Sequence, residues 1–226
     1  MVFGRQVCIG VVLAAAGGFW AAHGESIGVN FCGKSQKSGR ITPVGRAGAP
    51  GFEQTGWNNL SGVFPNDPAV PAGDDPANLK DSAGKGTKAS AVWLVENTWT
   101  TAGPTGTDTE RLRRIYLDSN NTEASQVEIA LSGIPYYRYT LVVYMDADGA
   151  GRAGSVKADG REIHFRTQGN AGAPLARAVA STPEEAKTGS YAVFSGIRGD
   201  TLAFQVKGGV GRNLGVQGFQ VVEELE

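Results

Sequence analysis

Apolar and polar residues alternate with period two along most of the chain, the mark of a strand that buries one face. In SIGVNF, Ile27, Val29 and Phe31 share a face; in QVEIAL it is Val127, Ile129 and Leu131. YRYTLVVYM sets Tyr137, Tyr139, Leu141, Val143 and Met145 on one side, REIHFR sets Ile163 and Phe165, and TLAFQVK sets Leu202, Phe204 and Val206. AVWLVE, SYAVF and GVQGFQVV alternate less cleanly and read as more deeply buried strands. Asp159-Gly160 between SVKA and REIHF predicts a tight hairpin. No segment carries a long 3.6-residue period. STPEEAK predicts one short helix, with Thr182 as cap, Pro183 at the first position and acids in the first turn. RLRRIYLD at 111–118 is ambiguous between strand and turn. The pattern therefore predicts eight or nine short strands and an all-β sandwich or barrel.

Two stretches depart from this pattern. Residues 1–24 read as a secretory signal peptide: Arg5 is the formal charge of a short leading region, Val7 to Ala22 is apolar or small, and Ala22 with Gly24 fits cleavage before Glu25. The run is short for a membrane span and holds Gly10, Gly17 and Gly18. Cys8 lies early in it, outside any lipoprotein-like cleavage context. The expectation is a protein secreted to the periplasm or outside the cell, with no membrane anchor after processing and residues 25–226 as a single domain. The second stretch, between Phe31 and Ala91, holds six of the ten prolines, together with QTGWNNLSG and PNDPAVPAGDDP. A connection that long is usually functional or hides short strands.

Composition narrows the partners. The chain has 226 residues, 33 of them glycine, and only 19% are charged, with net charge −1. That is a folded, loop-rich composition with no bulk charge to draw nucleic acid or an acidic membrane. Without residues 1–24 the chain keeps Cys32 as its one cysteine, so no internal disulfide forms, and His164 as its one histidine. Cys32 reads as a small buried residue.

Most motif matches dissolve on inspection. Gly149 to Gly154 spells G-x-G-x-x-G, but a hairpin follows where a nucleotide site needs a helix, so nucleotide binding is rejected. Asp146-Ala147-Asp148-Gly149 resembles the opening of a calcium loop, yet the EF-hand glutamate position holds Lys157. Asp146 and Asp148 remain metal candidates, with calcium as a possible ion and no cofactor required. There is no G-x-S-x-G or H-E-x-x-H, and His164 falls opposite Ile163 and Phe165. Asp146, Asp148, Glu53 and Glu96 offer carboxylates, but no spacing selects a pair. Asn59-Leu60-Ser61 and Asn120-Asn121-Thr122 are glycosylation sequons.

The aromatics carry more. Trp57, Trp99, Tyr136 and Tyr137 can stack on sugar rings, and Asn58, Asn59 and Arg152 can bond hydroxyls. Trp93, in a buried-looking strand, reads as core. The ordered set SIGVNF, GWNNLSG, RLRRIYLDSN, IALSGIPYYRYTLVVYMDADGAGRAGSVKADGREIHFRT, YAVFSGIRGDTLAFQVKGG and GVQGFQVV resembles a family of secreted β-sandwich domains of environmental bacteria, similar to galactose-binding-like jelly rolls and carbohydrate-binding modules. The WNN loop, the IPYxxY strand entry and the GRxG turn carry it; Cys32-Gly33-Lys34 departs from the neutral glycine-rich stretch expected there. The resemblance implies an antiparallel jelly-roll sandwich and a non-catalytic module that binds a polysaccharide or glycan at rim loops. Two alternatives stand beside it: a structural or adhesion domain contacting other surface proteins, and a small glycan-active hydrolase or lyase.

Overall fold

A computed structural model describes residues 23–33, 41–60, 62, 75–93, 95, 97–118, 126–209 and 213–225. Most of the expected signal peptide, Glu96, Ser61 of the first sequon, the second sequon and most of the PNDPAVPAGDDP stretch lie outside the described residues.

Two sheets pack face to face. Their strands are β1 (His23–Phe31), β2 (Asn58–Leu60), β3 (Ser90–Trp93), β4 (Asn97–Thr100), β5 (Ile115–Asp118), β6 (Gln126–Ser132), β7 (Arg138–Asp146), β8 (Ala153–Ala158), β9 (Arg161–Arg166), β10 (Tyr191–Arg198), β11 (Leu202–Gly208) and β12 (Gly215–Glu224), with helix α1 (Asp108–Leu112) before β5. The larger sheet runs β10-β7-β12-β1-β2; β5 pairs with the start of β12, and β4 pairs with β5. The smaller sheet runs β3-β6-β11-β8-β9. Strand β12 meets β7 on one side and, on the other, β5 at Gly215–Val216 and then β1 from Gly218 onward.

The alternating faces expected from the sequence meet between the sheets. Ile27, Val29, Phe31, Leu141, Val143 and Met145 face Val127, Ile129, Phe165, Phe204 and Val206. Phe219 sits edge-on to Phe204 at 5.4 Å, and Phe31 edge-on to Trp93 at 5.1 Å, geometries that aromatic quadrupoles favour. Asp159 and Gly160 join β8 to β9 with φ of 50° and 70°, as a two-residue hairpin turn requires.

Several expectations are corrected. Twelve strands are present among the described residues rather than eight or nine, because β2, β4 and β5 are too short to show alternation. The pairing is antiparallel except for β1 with β2, which is parallel. STPEEAK forms a turn, closed by Ala186 N–H donating to Pro183 O, with no apolar face to pack. The helix forms instead at α1, where Thr107 and Glu110 make a reciprocal capping box and Leu112 is buried. Tyr137 does not continue the buried stripe of β7, which begins at Tyr139.

The outer face of the large sheet is also covered. Val142, Tyr144, Tyr191 and Val193 pack beneath Ala47, Ala49, Phe52, Trp57 and Leu112. The long stretch after β1 is thus a covering layer, and it is pinned by polar bonds. Ala49 N–H donates to the Tyr144 hydroxyl at 2.7 Å, which donates to Gln220 Oε1 at 2.5 Å. Gln220 Nε2 donates to Phe52 O and to Gln54 Oε1.

Candidate functional site

The residues expected to bind a ligand do not form one site. Trp57 is 6% exposed, its indole N–H donates to Gln54 O at 3.1 Å, and its ring meets Tyr144 edge-on at 6.1 Å. Its faces are spent on the covering layer, so it offers no stacking platform. Asn58 is buried as well: Nδ2 donates to Gly28 O and Lys80 O, and Oδ1 accepts from Lys80 N–H. The carboxamide acts as a piece of backbone joining β1 to the 80s segment. Asn59 donates to Trp57 O and accepts from Asn30 Nδ2. Trp99 lies half-buried in β4, opposite Tyr116.

Arg152, Asp146 and Asp148 lie at the end of the sandwich where β7 stops and β12 begins. Arg152 is held by Asp148 at 2.7 Å and by Asn213 O at 2.8 Å. Asp146 is fully buried; its Oδ1 accepts from the N–H groups of Ala147, Gln168 and Gly169, and its Oδ2 lies 3.7 Å from Arg113. Burial pushes the Asp146 carboxyl upward, against the pull of those donors and of Arg113. Each aspartate thus faces a guanidinium, Asp146 that of Arg113 and Asp148 that of Arg152. Among the described residues, no three His, Cys, Asp or Glu side chains gather as metal ligands would. His164 is half-buried on β9, its N–H bonded to Ala180 O.

Tyr136 and Tyr137 lie at the opposite end, in the turn between β6 and β7. Gly133 makes that turn possible, with φ of 68° and a would-be Cβ only 2.2 Å from Lys88 O. Ile134 N–H donates to Asp200 O, tying the turn to the one between β10 and β11. A Gly133→Ala variant is expected to lose more than about 1 kcal/mol, since it meets both strain and a backbone clash. An unchanged melting temperature would show that the turn yields freely.

This turn forms one wall of a cleft of about 700 Å³, lined by Ile134, Pro135 and Tyr136 and by Glu25, Asp81, Lys85, Lys88, Asp200 and Glu223. Tyr136 is 7% exposed, and its hydroxyl makes no hydrogen bond among the described residues. Its phenol is pushed well above the ordinary tyrosine value, first by burial and then by Asp81, Glu223 and Glu25. A second cleft of about 420 Å³ shares Glu25 and adds Arg46, Glu53 and Ser82. Glu25 Oε2 accepts from the Ser82 hydroxyl at 2.5 Å between them.

Beside this cleft, Tyr137 is 70% exposed. The Arg198 guanidinium lies over its ring at 4.7 Å and donates to its hydroxyl. Arg138 pairs with Glu224 at 2.6 Å. The structure therefore separates the two neighbouring tyrosines: one forms a cleft wall and the other is an open ring backed by a cation. The charged cleft residues had no motif to announce them, because they arrive from four separate segments. No family model matches the chain, and no curated protein is similar to it.

Proposed function

We propose that the protein is a secreted, non-catalytic module of jelly-roll type that binds a polysaccharide or glycan. The binding end is the one bearing Tyr136 and Tyr137. Export rests on the character of residues 1–24. The observation that carries the reading is the exposed Tyr137 ring, held by Arg198, next to a cleft rich in hydrogen-bonding groups. Sugar rings present C–H faces to aromatic planes and hydroxyls to charged or polar rims, and both kinds of partner are present here. Backing by Arg198 fixes the ring and reduces the ordering cost of binding. A single site of this kind binds in the high micromolar to millimolar range, about −4 to −6 kcal/mol.

The test is retention of the purified protein on a panel of soluble and insoluble polysaccharides. Tyr137→Ala is expected to weaken the retained ligand's affinity about tenfold, roughly 1.4 kcal/mol, with no change in melting temperature. Undiminished affinity in that variant rules out the ring as the platform. Oligosaccharides incubated with the protein should show no new reducing ends; their appearance would favour the hydrolase alternative. Failure of every polysaccharide to retain a folded protein would favour contact with other surface proteins.

A further inference from the structure

We infer that the mature chain begins at Glu25 and that the α-ammonium group created by that cut is held by the Glu223 carboxylate, tying the first strand to the last. The inference rests on the export reading above and adds to it the fate of the new chain end.

The chain just after the cut is gripped along both edges. Ser26 pairs with Val222 of β12 on one edge. On the other, Ser82 N–H donates to Ser26 O at 2.7 Å, and Ser26 N–H donates to Ser82 Oγ at 3.2 Å. The Ser82 hydroxyl donates to Glu25 Oε2 at 2.5 Å, and the Ser26 hydroxyl donates to Gln54 Oε1 at 2.8 Å. Glu25 therefore keeps its place when the residues before it are removed. The Glu223 carboxylate lies against the residue that is lost: a first side-chain carbon at Gly24 would come within 2.1 Å of Glu223 Oε2. The Glu25 nitrogen is two bonds from the Gly24 α-carbon, so the cut creates an ammonium beside a carboxylate already in position. Among the described residues, the Glu223 side chain has no hydrogen bond or ion pair to give up.

Glycine at position 24 meets two requirements at once. A small residue is what the export peptidase needs before the cut, and a larger one would displace Glu223. Before the cut the Glu25 nitrogen is a neutral amide. After it, the nitrogen is a cation with three N–H donors, and its hydrogen bond to a carboxylate is charge-assisted. Other charges around it pull both ways. Glu25, Asp81 and Asp200 in the adjoining cleft favour the charged amine, Lys85 and Lys88 oppose it, and Tyr136 stays neutral. Across Gly24, Glu53 favours it and Arg46 opposes it. Replacing Glu223 alone therefore separates its share from theirs.

The experiment expresses the full chain for export in a bacterial host and reads the first residue of the exported protein by mass spectrometry. Glu25 is the residue expected. Any other first residue overturns the inference, and a chain that keeps residues 1–24 overturns the export reading with it. The amine is then probed with a small amine-reactive reagent at about pH 7, close to the ordinary α-amine value of about 7.7–8.0. Only the uncharged amine reacts, so capture by Glu223 is read as slow labelling of the first residue. The folded protein is expected to label about threefold or more slowly than the same protein in urea. Glu223→Gln keeps the shape without the charge and should remove most of that protection. It should also melt about 2 °C lower at pH 6. A chain with one alanine added before Glu25 carries the ammonium past the carboxylate and gives the same test should Glu223→Gln fold poorly. Absence of protection, protection that persists in both variants, or equal melting temperatures overturn the capture. Each of these results leaves polysaccharide retention, and with it the glycan reading, to stand or fall separately.

Discussion

Replacing Asp146 with alanine is expected to destabilise the protein by about 3–5 kcal/mol, the range found when one partner of a buried ion pair is removed. Arg113 and Asp146 are 1% and 0% exposed. Arg113 follows α1, and its guanidinium also donates to Ala171 O at 2.9 Å, to Asn170 O at 3.2 Å and to Gln168 Oε1. Asp146 ends β7 and accepts three backbone N–H bonds, two of them from Gln168 and Gly169. The pair therefore binds three separated segments together: the α1–β5 junction, the end of β7 and the loop at 168–173. Alanine leaves a buried cation without its counter-charge and three N–H groups without their acceptor, and both are costly in a dry interior. Asp146→Asn keeps an acceptor oxygen and should cost less, about 1–3 kcal/mol. Urea unfolding measures both through the shift in midpoint at constant slope. A loss under about 1 kcal/mol for the alanine variant would mean that water reaches the site and that the pair contributes little. Replacing both partners by apolar residues should recover part of the loss, because no unpaired charge is left behind.

The readable parts of the fold were those in which one physical rule acts alone. β6 and β11 bury a single face, so period two writes Val127, Ile129, Leu131, Leu202, Phe204 and Val206 directly into the sequence. Asp159-Gly160 is readable because few dipeptides accept two successive positive φ angles. The unread parts are those where rules compete. β2 has three residues and pairs in parallel with β1, so neither alternation nor a turn betrays it. The capping box of α1 was present as Thr107 and Glu110, but five residues offer no helical period to confirm it. STPEEAK had every start signal for a helix and lacked an apolar face, and packing decided the matter.

The site was less legible than the fold for a related reason. Polar context around an aromatic residue suggests exposure, yet at Trp57 the polar neighbours spend themselves on backbone: Gln54 O takes the indole proton and Asn58 bridges Gly28 and Lys80. At Tyr136 and Tyr137 two adjacent residues of one type take opposite environments within the turn between β6 and β7, where no strand alternation assigns their faces. The charged members of the cleft gather only once β1, β12 and two turns meet at one end. Four separate stretches of chain supply them, so no local window could show the group.

Trp57→Ala tests the distinction between platform and packing most directly. The variant is expected to lose about 3–5 kcal/mol, the usual cost of truncating a large buried aromatic residue. The ring fills the space between the covering layer and Tyr144, and its N–H bond to Gln54 O holds a residue that also accepts from Gln220 and Ser26. Loss of the ring therefore leaves a cavity and loosens the polar pins around it. Trp57→Phe should cost less, since most of the volume stays and only one hydrogen bond, worth about 1 kcal/mol, disappears. Glycan affinity per folded molecule should be unchanged in both variants, because the buried faces of Trp57 meet protein and not ligand. Tyr137→Ala should behave in reverse, with binding lost and stability kept, because its exposed ring fills no cavity. Measuring unfolding and binding for both variants separates the two roles on four numbers. A stable Trp57→Ala protein that no longer binds sugar would return the site to the WNN segment and remove the case for the Tyr137 end.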